Sequence, residues 1–314
     1  MVVATHDVAR WEELVKVVAA LEGQIRPPDE LVVVVDHNPA LLDRAVAEFP
    51  RATVVENDQV PGLGGARNTG IANSTGRVVA FIDDDAIPEP DWLANLLEGF
   101  GDPSVVGVGG AIEPRWEPQR PSWFPAEFDW VVGCSYVGLP TGTSFVRNLI
   151  GCNMSFRREV LERFGGFRLG YGCDETEFCI RVAQQDPDAR FLYQPAAQVH
   201  HLVTSQRLRW RRFLSRCYFE GGSKAVVSRL VGRRDGLASE RAYAYRVLPR
   251  AVRRGLARWA REGDAAGAAC AATVVAGLAA TTAGFLVGSF RVEQAAAQRG
   301  WRVQEAGLPR RAGS

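Results

Sequence analysis

The chain has 314 residues, 46% of them hydrophobic, which is enough to bury a full core and excludes a disordered or fibrous protein. Its 37 Lys and Arg residues balance 36 Asp and Glu residues, so the net charge of +1 gives no sign of a nucleic-acid partner. The six cysteines show no CxxC pair and no Cys/His spacing that suits zinc, and residues 1–5 lack the features of a signal peptide. These observations predict a reduced, cytoplasmic protein.

Short runs of β-branched residues alternate with helix-like segments through the first third of the chain. The predicted strands are 2–4, 31–35, 52–56 and 77–82, and the predicted helices are 8–24, 39–48 and 64–74. Strands that are apolar at every position, such as Leu31–Val35, are typical of parallel strands covered by helices on both faces. The pattern predicts a doubly wound α/β sheet, and we expect the loops at 5–7, 36–38 and 83–85 to meet at one edge of it.

After the predicted α/β segment comes an irregular stretch, followed by two predicted helices. Residues 114–147 are rich in Pro, Gly and Trp, which predicts a long loop or a lid. The tryptophans there, Trp116 among them, either stack on sugar rings or close a small core under the loop, and both interpretations stay open. Beyond the loop, 157–164 is a predicted helix, and the acidic cluster at 174–177 opens another.

The C-terminal third is basic and then uncharged. Residues 202–262 contain 16 Lys or Arg against 4 Asp or Glu, a surface that suits anionic lipid or a lipid phosphate better than RNA. Residues 265–290 carry no charge, so a membrane span, a helix lying on or in the membrane, and an Ala-rich helix packed on the domain all stay open. Residues 303–314 are a predicted loose polar tail.

A predicted buried strand ends in three consecutive carboxylates, Asp83, Asp84 and Asp85. This concentration of negative charge is costly without a cation. Because alternate residues of an extended strand point the same way, Asp83 and Asp85 can together hold a hard cation such as Mg²⁺ or Mn²⁺. The alternative is an acidic loop that caps the following helix.

Several motifs, in their order and spacing over about residues 1–220, resemble those of the family-two glycosyltransferases with a GT-A fold. The matching segments are 2–6, 27–36, 61–71, 83–85, 151–157, 172–178 and 193–200. The resemblance implies a Rossmann-like, doubly wound mixed sheet with a helical, basic C-terminal extension. We expect a donor-binding half at 1–113, an acceptor-binding and catalytic half of the same domain at 114–220, and the extension, with membrane association as one option, at 221–314.

The resemblance also implies roles for individual residues. The residues expected to contact the donor are Thr5, His6, Asp36, Arg67, Asp83 and Asp84. The expected metal ligands are Asp83, Asp85 and His200, with His201 as the adjacent competitor. The expected catalytic base is Glu175 or its neighbour Asp174, because the family's acidic motif usually runs Glu-Asp and is reversed here. Asn153 and Trp116 are the expected acceptor-side residues.

The implied reaction is a metal-dependent, inverting transfer of a sugar from a nucleotide-diphosphate sugar to an acceptor. The donor is expected to be UDP- or dTDP-linked, and the acceptor a glycan or a lipid-linked molecule. Cell-envelope or exopolysaccharide synthesis is the expected process. We expect peripheral membrane contact through 202–290, at the inner face of the plasma membrane, and no nucleic-acid partner. A nucleotidyltransferase of related fold and a catalytically silent scaffold stay open as alternatives. A nicotinamide dehydrogenase is disfavoured, because Gly62–Arg67 lacks the third glycine of that fingerprint and follows the wrong strand.

Overall fold

The computed structural model describes residues 1–168, 170 and 172–297, and its internal contacts divide the chain into two compact units. Unit 1 contains 1–112 and 141–200, and unit 2 contains 113–140 together with the described residues from 201 onward. The expected donor-binding and acceptor-binding halves at 1–113 and 114–220 concern binding roles and stay a prediction. The predicted tail at 303–314 lies outside the described residues.

Unit 1 is built on a mixed sheet whose first strands are parallel. These are β1 (Val2–Thr5), β2 (Val32–Val35), β3 (Thr53–Glu56) and β4 (Val78–Asp83). The later strands are β5 (Ala86–Pro88), β6 (Val105–Glu117), β7 (Ser144–Val146), β8 (Asn153–Arg157) and β9 (Arg190–Thr204). The order is β3-β2-β1-β4-β8-β6-β9-β5, with β7 paired to β9. Strand β8 is antiparallel to both β4 and β6, which makes the sheet mixed.

Six helices connect the strands within the described part of unit 1. They are α1 (Trp11–Glu22), α2 (Pro39–Glu48), α3 (Leu63–Ala72), α4 (Trp92–Glu98), α5 (Arg158–Phe164) and α6 (Asp174–Gln185). Helix α2 begins where predicted, because the Asn38 side chain accepts a hydrogen bond from Leu41 N and Pro39 occupies the first turn. Helix α1 begins at Trp11, after a 3₁₀ turn at Val8–Arg10.

Phenylalanine rings from the middle of the sheet fix the position of the β4 and β8 ends. Phe81 of β4 meets Phe167 edge-on at 5.5 Å between ring centroids, and Phe156 of β8 meets Phe178 of α6 in the same way at 5.1 Å. All four rings are fully buried. Because buried aromatic pairs of this kind are well packed, the loop after β4 and the start of α6 are held in a fixed relation.

Unit 2 is largely helical, as the basic extension was predicted to be. Its helices are α7 (Trp210–Val231), α8 (Arg233–Gly236), α9 (Ala238–Arg246), α10 (Leu248–Glu262) and α11 (Ala265–Ala297). Helices α7 and α10 both pack against α11. A Cβ added at Gly255 of α10 would lie 2.5 Å from Gly267 O of α11, so this crossing requires glycine.

The tryptophans of the predicted lid lie in an aromatic cluster of unit 2. Trp116 meets Phe124 edge-on at 5.7 Å, and the guanidinium of Arg120 lies 4.7 Å from the Trp116 ring centroid. Trp123 meets Trp210 edge-on, with 5.3 Å between their ring centroids. These contacts favour the second interpretation of the segment, in which its aromatic side chains close a small core.

Replacing Gly70 with Ala tests the packing of α3 on the sheet. The added Cβ would lie 2.3 Å from Val2 Cγ1 of β1, and a β-branched neighbour in a strand has little room to move. We expect the free energy of unfolding, measured by urea denaturation, to fall by about 1–3 kcal/mol. Gly142→Ala is the control, since a Cβ there meets nothing within 4 Å. Equal stability of the two variants would contradict this account of the packing.

Candidate active site

Asp84 supports the loop that follows β4. Ala4 pairs with Asp83 across β1 and β4, which places Thr5 beside Asp84. The Thr5 hydroxyl donates to Asp84 Oδ2 at 2.7 Å, and Arg10 donates to Asp84 Oδ1 at 2.8 Å. Burial raises the pKa of Asp84, although Arg10 and the Thr5 hydroxyl oppose this. Both carboxylate oxygens of Asp84 therefore accept hydrogen bonds from within the protein, and these bonds hold the loop in position.

Arg10 is a site residue that sequence reasoning missed. Its NH1 atom lies 3.3 Å from Asp85 Oδ2, in addition to the bond to Asp84. Burial alone would lower the pKa of Arg10, but the charges of Asp85 and Asp84 outweigh burial and raise it. The available signal was its position, because Arg10 follows β1 at the same sheet edge as the carboxylates.

Arg67 of α3 joins the carboxylate triplet to the acidic motif. It is buried, with NH1 3.3 Å from Asp174 Oδ2 and 3.9 Å from Glu175 Oε2. Its NH2 lies 3.7 Å from Asp83 Oδ1 and donates to Gly151 O at 2.9 Å. Burial alone would lower the pKa of Arg67, but the three carboxylates outweigh burial and raise it. Three carboxylates predicted for the site are therefore brought together around the guanidinium of Arg67, which was itself predicted.

The acidic motif occupies the start of α6. Asp174 and Glu175 lie in the first turn, where the helix dipole and the backbone N–H groups favour negative charge. Glu177 is different, because it is fully buried and accepts hydrogen bonds from Arg181 Nε at 2.8 Å and from Arg168 NH1 at 3.1 Å. Glu177 therefore stabilises the helix from inside, whereas Asp174 and Glu175 lie beside Arg67.

Asp36 ties the ends of β2 and β3 to the start of α3. It accepts hydrogen bonds from Gly62 N at 2.8 Å and from Asn57 Nδ2 at 2.6 Å. Burial alone would raise the pKa of Asp36, but these hydrogen bonds outweigh burial and lower it. His6 is exposed in the neighbouring loop, and its carbonyl accepts from Asn38 Nδ2 at 3.0 Å. The loops at 5–7 and 36–38 thus meet as the sequence predicts.

Asn153 and Trp116, the residues expected on the acceptor side, both make internal contacts. Asn153 is fully buried, and its Nδ2 donates to Ala111 O at 2.9 Å and to Ala197 O at 2.8 Å. Its Oδ1 accepts from Trp92 Nε1 at 2.9 Å. The side chain is thus a structural tie between strands, with both N–H donors used internally. The Trp116 ring is partly buried and packs against Phe124 and Arg120 as described above.

The structure does not bring His200 to the carboxylate triplet. His200 Nε2 lies 2.6 Å from Glu89 Oε1, in the segment after β5. Among the described residues, the ligand atoms of Asp83, Asp85 and His200 do not all lie within 4.8 Å of one another. His201, the adjacent competitor, is buried in unit 2, where its ring lies 3.6 Å from Cys134 Sγ and 3.1 Å from Arg207 NH1. The ligand role predicted for His200 therefore lacks the expected contact.

The donor atoms of Asp83 and Asp85 fit a hard divalent cation. Both offer carboxylate oxygens, which Mg²⁺ and Mn²⁺ prefer, whereas both oxygens of Asp84 are engaged by Thr5 and Arg10. The Asp83 side chain is 28% exposed and that of Asp85 is 5% exposed, so Asp83 is the more accessible to a ligand. A cation bound there would compete with Arg67 for Asp83 and with Arg10 for Asp85.

Comparison with known proteins decides the family. The family model for glycosyl transferase family 2 matches residues 1–165. The chain belongs to this family. It is 35% identical over 242 residues to the glucosyl-dolichyl phosphate glucuronosyltransferase of Haloferax volcanii, a match that covers 73% of this chain and 77% of that protein. The chain is therefore a glycosyltransferase, which removes the nucleotidyltransferase alternative.

Two further similarities bear on the family and the fold. The pre-mycofactocin glycosyltransferase of Mycobacterium tuberculosis is 32% identical over 209 residues, a match covering 63% of this chain and 42% of that protein. The mannosyltransferase PcManGT from Pyrobaculum calidifontis, solved with GDP-Man and Mn²⁺, superimposes with a TM-score of 0.57 at 22% identity. That match covers 89% of this chain and 85% of the other. The predicted GT-A fold is confirmed.

Replacing Arg67 with Met tests its part in the site. The substitution leaves Asp174 in a largely buried position without its cation and the Gly151 carbonyl without a donor. We expect urea denaturation to show a loss of about 3–5 kcal/mol in the free energy of unfolding. Arg51→Met is the matched control, because Arg51 is exposed. If Arg67→Met cost no more than this control, Arg67 could not be what holds these carboxylates together.

Proposed function

We propose that this glycosyltransferase moves a sugar, with inversion, from a nucleotide-diphosphate sugar to an acceptor hydroxyl, and that the reaction depends on Mg²⁺ or Mn²⁺. The observation that supports this most is the arrangement of carboxylates around Arg67, with Asp83 on one side of the guanidinium and Asp174 and Glu175 on the other. An arrangement of this kind offers a donor-side carboxylate for a cation and a base for the acceptor in a single place.

On the donor side, Asp83 and Asp85 would hold the cation, and Asp36 and His6 would line the nucleotide site. When bound, the cation would neutralise charge on the leaving diphosphate. Thr5 and Asp84 keep the aspartate loop in position by bonding each other. Arg67 would orient the carboxylates on both sides of the reacting centre, and at 3% exposure it acts through them.

On the acceptor side, we assign the base to Glu175. Its Oε2 is 3.9 Å from Arg67 NH1, whereas Asp174 Oδ2 is at 3.3 Å, and the Glu175 side chain is more exposed, at 18% against 12%. Of the two carboxylates, Asp174 is thus the one that Arg67 engages more closely, and Glu175 is the more accessible to an acceptor. Glu175 would therefore take the proton of the acceptor hydroxyl as that oxygen attacks the anomeric carbon, while Asp174 anchors Arg67.

The name of a relative supports a proposal for the acceptor class. The Haloferax volcanii protein is named for a glucosyl-dolichyl phosphate acceptor and a glucuronosyl group. By this likeness we propose a sugar linked to a lipid phosphate as the acceptor, with a UDP- or dTDP-linked donor. Such an acceptor resides in a membrane, which agrees with an enzyme at the inner face of the plasma membrane in cell-envelope or exopolysaccharide synthesis.

A thermal-shift panel of nucleoside diphosphates and nucleotide sugars, with and without Mn²⁺, tests the metal site. A saturating ligand, at about 100 times its Kd, stabilises the folded state by roughly 2.7 kcal/mol. We expect a UDP or dTDP ligand to raise the Tm of wild type only with Mn²⁺, and we expect Asp85→Asn to lose this effect. Asp43→Asn, at an exposed position of α2, is the control.

The same panel tests which histidine supplies a nitrogen ligand to the cation, because His200→Ala and His201→Ala can be compared directly. The variant that weakens the Mn²⁺-dependent shift identifies the ligand. If no nucleotide stabilises wild type under any condition, the catalytically silent scaffold becomes the better account.

A kinetic comparison tests the base. Glu175→Gln removes the proton acceptor but keeps the shape of the side chain, so kcat should fall by roughly 10²–10⁴-fold with an unchanged donor KM. Asp174→Asn keeps Glu175 and should lower kcat less. A larger kcat loss in Asp174→Asn than in Glu175→Gln would reverse the assignment.

A further inference from the structure

Helix α11 is packed on one face and apolar on the other. Its contacts with the rest of unit 2 run through small residues along its length: a Cβ at Gly267 would lie 2.7 Å from Gly255 O, at Gly277 2.4 Å from Phe128 Cε1, and at Gly284 1.9 Å from Tyr218 O. Between Ala265 and Arg291, however, only 28% of the most apolar window is buried. The helix is therefore not the buried core helix of a soluble domain.

The uncovered face forms what we term the apolar stripe. Its large side chains are Val275, Leu278, Leu286, Val287 and Phe290, which are between 37% and 66% exposed. Consecutive members are three, eight, one and three residues apart, so at 3.6 residues per turn they fall within one half of the helix surface. An apolar surface of this length on a soluble protein indicates an interaction site.

The threonines of α11 satisfy their hydroxyl donors within the helix. Thr273 donates to Ala269 O at 2.8 Å, Thr281 to Gly277 O at 2.9 Å and Thr282 to Leu278 O at 2.8 Å. Each hydroxyl thus donates to the carbonyl four residues earlier in the same helix. Thr282 is exposed beside the apolar stripe and still needs no water as acceptor.

Helix α10 adds a second exposed apolar edge bordered by arginines. Leu256 and Trp259 are 46% and 54% exposed, and tryptophan is common at the boundary between lipid and water. Within the described part of the chain, no ion pair engages Arg250, Arg253 or Arg261, although all three are exposed. Arginines beside an apolar edge complement anionic lipid headgroups.

We propose that unit 2 docks on an anionic lipid bilayer, with α11 lying in the plane of the membrane. The apolar stripe, Leu256 and Trp259 would enter the lipid, and the arginines of α10 would contact the headgroups. This goes beyond the proposed reaction and does not depend on it. An in-plane helix is favoured over a spanning one because α7, with the ion pair Lys224–Glu220, packs along the same helix. A spanning α11 would carry these charges into the hydrocarbon.

Flotation with vesicles tests the surface. We expect wild type to float with vesicles that combine phosphatidylcholine and phosphatidylglycerol, and to float much less with phosphatidylcholine alone. Leu286→Glu with Phe290→Glu should weaken partition by about tenfold or more, since charged side chains do not enter lipid. Ile25→Glu with Val46→Glu is the matched control, because these residues of unit 1 are 74% and 54% exposed.

A second pair of substitutions guards against misfolding, and a charge pair tests the lipid class. Val275→Glu with Leu278→Glu should repeat the loss of flotation, with urea midpoints showing which variants are folded.

Arg250→Gln with Arg253→Gln should remove the preference for vesicles that contain phosphatidylglycerol, whereas the control pair Arg26→Gln with Arg51→Gln should keep it. Wild type that fails to float, or folded stripe variants that float as wild type does, would overturn the proposal. None of these measurements uses a sugar donor, so they stand apart from the test of the reaction.

Two further outcomes separate the alternatives. Tags at the two termini should both be cleaved by added protease in sealed inside-out membrane vesicles, since an in-plane helix leaves both on one side. Protection of the C-terminal tag alone would show a spanning α11 and overturn the in-plane arrangement. Sedimentation velocity without lipid should show a monomer. A dimer that the stripe variants abolish would make a second copy the occupant of this face and would also overturn the proposal.

Discussion

The site depends on one buried cation. Arg67 is 3% exposed, and burying a guanidinium is costly unless carboxylates and hydrogen-bond acceptors surround it. Asp174 at the start of α6, Asp83 at the end of β4 and the Gly151 carbonyl meet this requirement from three separate parts of unit 1. A Cβ at Gly151 would lie 2.6 Å from Arg67 NH2, so this close approach requires glycine. Any shift of Arg67 would move both the donor-side and the acceptor-side carboxylates.

A second constraint is the repulsion within the carboxylate triplet. Asp83, at the end of β4, lies beside Arg67, with its Oδ1 atom 3.7 Å from Arg67 NH2. Asp84 and Asp85 lie in the turn that follows and share Arg10, whose NH1 is 2.8 Å from Asp84 Oδ1 and 3.3 Å from Asp85 Oδ2. The turn therefore departs from the alternation expected of an extended strand, and two arginines offset the repulsion within the triplet.

Local sequence predicts the strands and helices of unit 1 well. The run of valines in β2, the Asn38 cap and Pro39 of α2, and the strand that ends in aspartates each fix an element within a few residues. The expected convergence of the loops at 5–7 and 36–38 also follows from parallel strands alone. These features depend on neighbours in the sequence or on the general handedness of crossovers, which is why a single chain is sufficient to predict them.

Other features depend on long-range contacts that no local pattern encodes. Asn153 lies within a motif that resembles an acceptor-side strand, but its side chain is used to tie β8 to Ala111 and Ala197. The grouping of 113–140 with the C-terminal helices rests on aromatic contacts such as that of Trp123 with Trp210. The sequence cannot decide whether His200 or His201 is the better candidate for a metal ligand, because the register of β9 determines the face of the sheet on which each side chain lies.

A crystal structure of the chain soaked with Mn²⁺ and a nucleoside diphosphate, with anomalous data at the manganese edge, tests the central claim most directly. The account predicts a manganese peak bound to carboxylate oxygens of Asp83 and Asp85, with Arg67 still against Asp174. A peak at the Glu89 and His200 pair instead, or a nucleotide bound away from the β4 edge, would contradict it.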